Sequence, residues 1–179
     1  SARAGNVIGG GDWSHNRLIP DCINSWSKNE TVILRNPYST RPWQHVLEPL
    51  GGYMLLALML SEKKELNGES FNFGPSLEKD YNVLEVVLKM SEYWKNIKYK
   101  FDSENKNSFY ESNLLKLNCD KALHNLNWKS CLSFQDTIYL TTNWYKEFYS
   151  DPSNISEITI SQVNYYTKIF NKKILQNNV

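Results

Sequence analysis

The 179-residue sequence predicts a mixed α/β fold packed as one body. Short β-branched or alternating segments recur between apolar runs of helical period. Gly, Pro and Asn punctuate them, and neither an internal repeat nor a long linker divides the chain.

Residues 2–8 read as a strand that runs into Gly9-Gly10-Gly11, with Asp12 and Trp13 beyond. Over 18–26, the apolar residues Leu18, Ile19, Cys22, Ile23 and Trp26 fall on one helical face. Residues 31–35 form a β-branched strand, Asn36-Pro37-Tyr38-Ser39 a turn, and 43–46 a second short extended segment. The strongest helix signal covers 47–62, with Pro49 in the first turn, where its missing N–H costs nothing. Leu50, Met54, Leu55, Leu58 and Met59 repeat there at helical intervals, which predicts a buried helix with that stripe in the core. Residues 69–73 alternate like a strand until Gly74-Pro75 stops it. Asn82 is placed to cap a helix over 83–94, and 98–101 is a strand. A polar loop over 105–112 leads to a short strand at 114–117. Asn118 or Asp120 caps a helix over 121–126 that Asn127 and Trp128 end, and 133–149 is the last amphipathic helix. The polar residues from 171 to 179 are expected to fray as a tail, leaving 1–170 as the folded unit.

Composition narrows the function classes. With 20 basic and 19 acidic residues the formal net charge is +1, so no global field steers nucleic acid or an anionic membrane toward the chain, and any anion site is local. Three widely spaced cysteines without a CxxC pair argue against a disulfide framework and against zinc, and no other metal is expected. The longest apolar run, around 53–60, is too short to span a bilayer. A soluble, cytoplasmic protein is the expectation.

The chemistry-bearing residues cluster early. Gly9-Gly10-Gly11 lacks the GxGxxG and GxxxxGK[ST] spacings of phosphate loops, and by itself reads as a strand-exit turn. Guanidinium forks and amide donors at element ends suit a diphosphate, and Asn6, Arg17, Arg35, Arg41 and Asn72 stand at such ends. His45, between Arg-Pro-Trp-Gln and an apolar helix, favours a hydrogen-bonded structural role over proton transfer. Trp43 favours packing over base stacking. A strand opening at the second residue, with no sheet neighbour encoded before it, suggests that the chain begins late in a longer protein and that a free strand edge could favour a homo-oligomer.

Taken in order, the strings RAGNVIGGGDW (3–13), RLIPD (17–21), IxRNP (33–37), RPWQHVLEPL (41–50) and FNFGP (71–75) resemble the CDP-glucose 4,6-dehydratases, members of the extended short-chain dehydrogenase/reductase group. The resemblance runs from Ala2 to about Trp144, and RPWQHVLEP is its most specific element. It implies the C-terminal substrate-binding part of such an enzyme, with the N-terminal Rossmann portion missing and residues 1–12 as a residual strand and loop of its sheet. The glycine-rich NAD fingerprint, the Tyr-x-x-x-Lys pair and every catalytic residue are expected on that missing portion. NAD is therefore the cofactor of the full-length enzyme and is not expected to bind this chain.

The implied reaction oxidises the glucose ring at C4, removes water across C5 and C6, and returns the hydride to C6. The product is CDP-4-keto-6-deoxyglucose, on the way to deoxysugars of the O-antigen type. By the same resemblance Asn6 contacts the diphosphate or sugar, Arg17 and Leu18 the nucleotide side, Arg41 a phosphate, and Asn72 the phosphate or ribose region. Arg35 is a weaker substrate-binding candidate, and so is Glu111, which keeps the acidic position of a loop where Tyr110-Glu111-Ser112 otherwise departs from the family's His-Glu-Ala type. Two alternatives stay open: part of another nucleotide-sugar epimerase or reductase, and a non-enzymatic stand-alone interaction module.

Overall fold

In the computed structural model, which describes residues 1–76, 80–102 and 116–176 (side chains through 173), the expected first strand breaks at Gly5-Asn6. Its halves, β1 (Ala2–Ala4) and β2 (Val7–Ile8), go to different partners. Helix α1 (Leu18–Ser27) follows, then β3 (Val32–Leu34), β4 (Thr40–Arg41), β5 (Gln44–His45) and helix α2 (Leu47–Glu62). Beyond a short 3-10 turn come β6 (Phe71–Phe73), β7 (Tyr81–Asn82), α3 (Val83–Met90) and β8 (Tyr99–Phe101). The described chain closes with α4 (Asp120–Leu126), α5 (Phe134–Ser150) and α6 (Ile155–Gln176).

The strands pair two by two. β1 lies parallel to β6, β2 to β5 and β3 to β8, whereas β4 and β7 are antiparallel. Two of the helices, α3 and α5, enter where a polar residue satisfies their first N–H groups. Asn82 and Ser133 each form a capping box, with Glu85 and Asp136 respectively. Asn127 takes the left-handed conformation that ends α4, as its side chain allows at low cost.

Two of the three apolar clusters among the described residues flank the strands. Ile23, Trp26 and Leu34 meet Val86, Met90 and Ile138 in one, seating α1, α3 and α5 around β3. Phe71 and Phe73 meet Leu56, Leu126 and Trp128 in the other, beneath β6. Each such side chain contributes roughly 1.5–3 kcal/mol through the apolar surface it removes from water.

The helix over 47–62 forms within the expected bounds, but the stripe assigned to its core does not pack. Leu50, Met54 and Leu58 are 47%, 75% and 57% exposed; only Leu55 and Met59 reach the second cluster. Apolar residues surround α2 on all sides, so periodicity does not select the inward face. Close approach selects it: a Cβ at Gly52 would stand 2.3 Å from Phe73, and that absent atom lets α2 sit on β6.

The sequence also hides α6. Its β-branched, polar-spotted run gives little helical contrast, yet it docks along α5 and the start of α2. Gln162 Nε2 donates to Leu140 O, Trp144 Nε1 donates to Thr159 Oγ1, and Lys173 Nζ donates to the carbonyls of Ser130 and Cys131. The helix thus continues into the segment read as a tail. Leu117 and Lys116, the described half of the strand read at 114–117, lie outside any strand.

Candidate functional site

Where β2 ends, the chain must turn from a strand into α1, and the glycines allow it to do so under an aromatic lid. A Cβ at Gly10 would stand 2.1 Å from the Trp144 ring, and Gly11 has φ +81°, a conformation glycine adopts without a Cβ penalty. Trp13 then packs among Trp144, Tyr145, Phe148 and Tyr149 of α5. The hydroxyl of buried Tyr145 donates to Asp12 O at 2.7 Å and accepts from the Asp12 N–H at 3.1 Å. Burial drives the Tyr145 phenol well above its usual pKa, so it stays protonated and keeps both bonds.

The loop held in this way carries Asp12 toward α1. Its carboxylate accepts from the Ser14 N–H at 3.0 Å and pairs with Arg17 Nη1 at 3.4 Å. Partial burial pushes the Asp12 carboxyl up, but the hydrogen bonds from Ser14 and the Arg17 charge outweigh it and hold the group below its ordinary value. Arg17 is 63% exposed, so the pair is worth only about 0–1 kcal/mol and leaves the guanidinium available to a ligand.

These elements border a cavity of about 780 Å³, within the range of small-molecule sites. Asn6, Arg17, Leu18, Arg35 and Arg41, expected from widely separated stretches, all line it. Asp12, Asp21 and Asn36 line it too, as do Ile33 and Trp43. Arg41 projects from β4 with its Nη1 donating to Thr40 O at 2.7 Å, and it also borders a second cavity of about 180 Å³ on its far side. Three arginines against two aspartates leave the large cavity with a cationic excess suited to an anion.

Asn72 does not join them. From β6 its Nδ2 donates to Asn118 O at 3.1 Å, tying the strand to the approach of α4, and it does not line the cavity. Glu111 lies outside the described residues. Trp43 is buried, with Nε1 donating to Tyr81 O at 3.0 Å, a structural role that also shapes one cavity wall. His45 is 1% exposed, and burial lowers its pKa to about 4. A neutral ring whose Nδ1 accepts from the Leu47 N–H fits the structural role read for it. The carboxylate of Asp21 and the Tyr145 clamp escaped the sequence reading. Asp21 stands inside RLIPD and gave no distinguishing signal, and Tyr145 acts across more than 130 positions.

The NAD implied by the sequence resemblance requires a glycine-rich turn open to its pyrophosphate. Here the space that Gly10 leaves is filled by Trp144, and the Gly9 position faces Val46. The described glycine loop therefore does not fit that cofactor.

No protein-family model matches the chain. Over 147 residues it is 45% identical to a CDP-glucose 4,6-dehydratase of Salmonella typhimurium, a match covering 82% of this chain and 40% of that enzyme. The chain thus spans about 40% of the length of its curated relative. Among solved structures, it resembles a UDP-glucuronic acid 4-epimerase from Bacillus cereus with a TM-score of 0.68 and 17% identity, covering 82% of this chain and 45% of that one. It also resembles a dTDP-glucose 4,6-dehydratase from Bacillus anthracis with a TM-score of 0.62 and 19% identity, covering 82% and 44% respectively. The expected fold class is correct: the chain is α/β and shares its fold with part of each of these two solved structures.

Proposed function

We propose, from this kinship with a CDP-glucose 4,6-dehydratase, that the chain supplies the sugar-nucleotide-binding part of such an enzyme. The observation that carries the reading is the convergence of Asn6, Arg17, Leu18, Arg35 and Arg41 on one cavity. Cationic forks at element ends complement a diphosphate, because planar guanidinium groups bind its oxygens in pairs. Arg41 and Arg17 engage the diphosphate, Asn6 the sugar side, and Leu18 gives the base an apolar surface. Asn72 steadies the strand beside the site and, through β6, the sheet to which β1 belongs.

Oxidation at C4, loss of water across C5 and C6, and hydride return need NAD and an acid–base pair. In this reading those are supplied by the part of a relative-length enzyme that the chain does not match. The binding part holds the nucleotide still while the sugar ring is presented to them, which converts an encounter between separate groups into an oriented one. The same reading places the protein in the cytoplasm, in deoxysugar synthesis of the O-antigen type, and leaves nucleic acid and membranes out of its partners. It also places the free edge of β1 at an association surface.

Calorimetric titration of the chain with CDP-glucose, UDP-glucose and dTDP-glucose, without NAD, tests the site. Saturable binding that weakens at least about 10-fold in Arg41→Ala, and stays within about 2-fold in Asn72→Ala, is expected for one lost charge-assisted contact. Absence of binding by all three sugars, or binding indifferent to Arg41→Ala, refutes the assignment.

A further inference from the structure

Asp21 is a negative charge in a cavity read as a diphosphate site. It stands in the first turn of α1 and lines the same wall as Arg17 and Leu18. Unlike the Asp12 carboxylate, which Ser14 and Arg17 occupy, the Asp21 carboxylate has no hydrogen-bond or ion-pair partner among the described residues, its backbone N–H alone being bonded, to Arg17 O. A free carboxylate there repels an anionic ligand unless the ligand brings a donor to it. Resting on the proposed function, we infer that Asp21 selects the base, accepting a hydrogen bond from the exocyclic amino group of a cytosine nucleotide.

The strand beside it indicates which part of the ligand lies there. β3 runs parallel to β8, with Val32 N–H bonded to Lys98 O and Asp102 N–H bonded to Leu34 O. In a parallel ladder alternate residues face the partner, so Val32 and Leu34 turn their polar groups to β8 and Ile33 turns its N–H and C=O to the opposite edge. Ile33 lines the cavity, and α1 packs against β3. A flat heterocycle set along that edge meets one backbone donor and one acceptor, with the Asp21 carboxylate on the adjoining helix.

The chemistry of the bases then decides between ligands. Cytosine presents an amino donor at N4, and carboxylates are its natural acceptors. Uracil and thymine present a carbonyl oxygen at the equivalent position, which a carboxylate repels. An Asn side chain accepts from one and donates to the other, so Asp21→Asn removes the distinction while preserving shape.

The test is the ratio of dissociation constants for CDP-glucose and UDP-glucose, in the unaltered chain, in Asp21→Asn and in Asp21→Ser. A preference for CDP-glucose of roughly 10-fold or more, falling to within about 3-fold in both variants, is expected. A role confined to the favourable field of the helix N-terminus would shift the melting temperature and leave the ratio unchanged. A CDP preference that survives both substitutions, or equal binding of the two sugars by the unaltered chain, overturns the inference while the proposed site stands. Failure of the unaltered chain to bind either sugar overturns the site and the inference together.

Discussion

Replacing Tyr145 by Phe removes one oxygen and leaves the ring in its aromatic box. That oxygen serves both the N–H and the C=O of Asp12, at 3.1 and 2.7 Å. Because the ring volume is unchanged, no cavity contributes, and the loss is two hydrogen bonds whose backbone partners remain part-buried. At about 0.5–1.5 kcal/mol for each bond, the expected destabilisation is about 1–3 kcal/mol. A chain of this size loses about 2–4 °C of melting temperature per kcal/mol, so a loss near 2 kcal/mol lowers the midpoint by about 4–8 °C. The fingerprint is local as well as global. Amide exchange at Gly10, Gly11 and Asp12 accelerates at least about 10-fold, beyond the change in the α3 core, because the loop opens without the body unfolding. Thermal denaturation followed by circular dichroism and exchange followed by mass spectrometry read the two effects. A midpoint within 1 °C of the unaltered chain, with unchanged exchange in the loop, would refute the clamp and with it the account of how Asp12 reaches Arg17.

Two further perturbations probe other parts of the fold. Glu48 is 1% exposed; its Oε1 accepts from the N–H groups of Cys131 and Leu132 at 2.6 and 2.5 Å, and its Oε2 accepts from the Tyr166 hydroxyl at 3.2 Å. Burial raises its pKa above 4.5, against the pull of these bonds and of Lys173, so the folded form binds the proton more tightly than the unfolded one. Its contribution is fully present below the unfolded value and is lost as pH rises through the raised folded value. The melting temperature of Glu48→Gln minus that of the unaltered chain should therefore climb as pH rises from about 4.5 toward 8, the neutralisation of His45 being common to both. A difference that stays flat or falls contradicts a raised pKa. Replacing Leu50, Met54 and Leu58 together by Gln should leave the melting temperature within about 2 °C and increase solubility, since these side chains meet water rather than core. A drop of 10 °C or more would show that the outer face of α2 is packed.

How much of this the sequence disclosed depended on how local the cause was. Asn82 and Ser133 announce their helices because a cap and its N3 acid lie three residues apart, and both helices begin there. The convergence of Asn6, Arg17, Leu18, Arg35 and Arg41 was legible through resemblance, which carries the folded arrangement that no spacing rule contains. Which face of α2 turns inward was not legible, because the choice rests on Gly52 meeting Phe73 rather than on any contrast along the helix. Asn72, read as a site residue at a strand end, stands apart from the cavity, with its Nδ2 donating to Asn118 O. Helix α6 was missed for a related reason. Its anchors, Trp144 to Thr159 and Tyr166 to Glu48, are tertiary, and its own sequence alternates apolar and polar groups without a clear stripe.

The Glu48 carboxylate also sets an order in time. Its partners lie 83, 84 and 118 positions later in the chain, while the arginines around the large cavity have all been synthesised by residue 41. As the polypeptide leaves the ribosome at about 5–20 residues per second, Glu48 stays hydrated for several seconds before Tyr166 exists to meet it. The first turn of α2 consequently takes its final seat only after most of the chain has been made. A nascent polypeptide halted before α6 would leave Glu48 Oε2 without Tyr166, so the root of α2 closes only once α6 has been made.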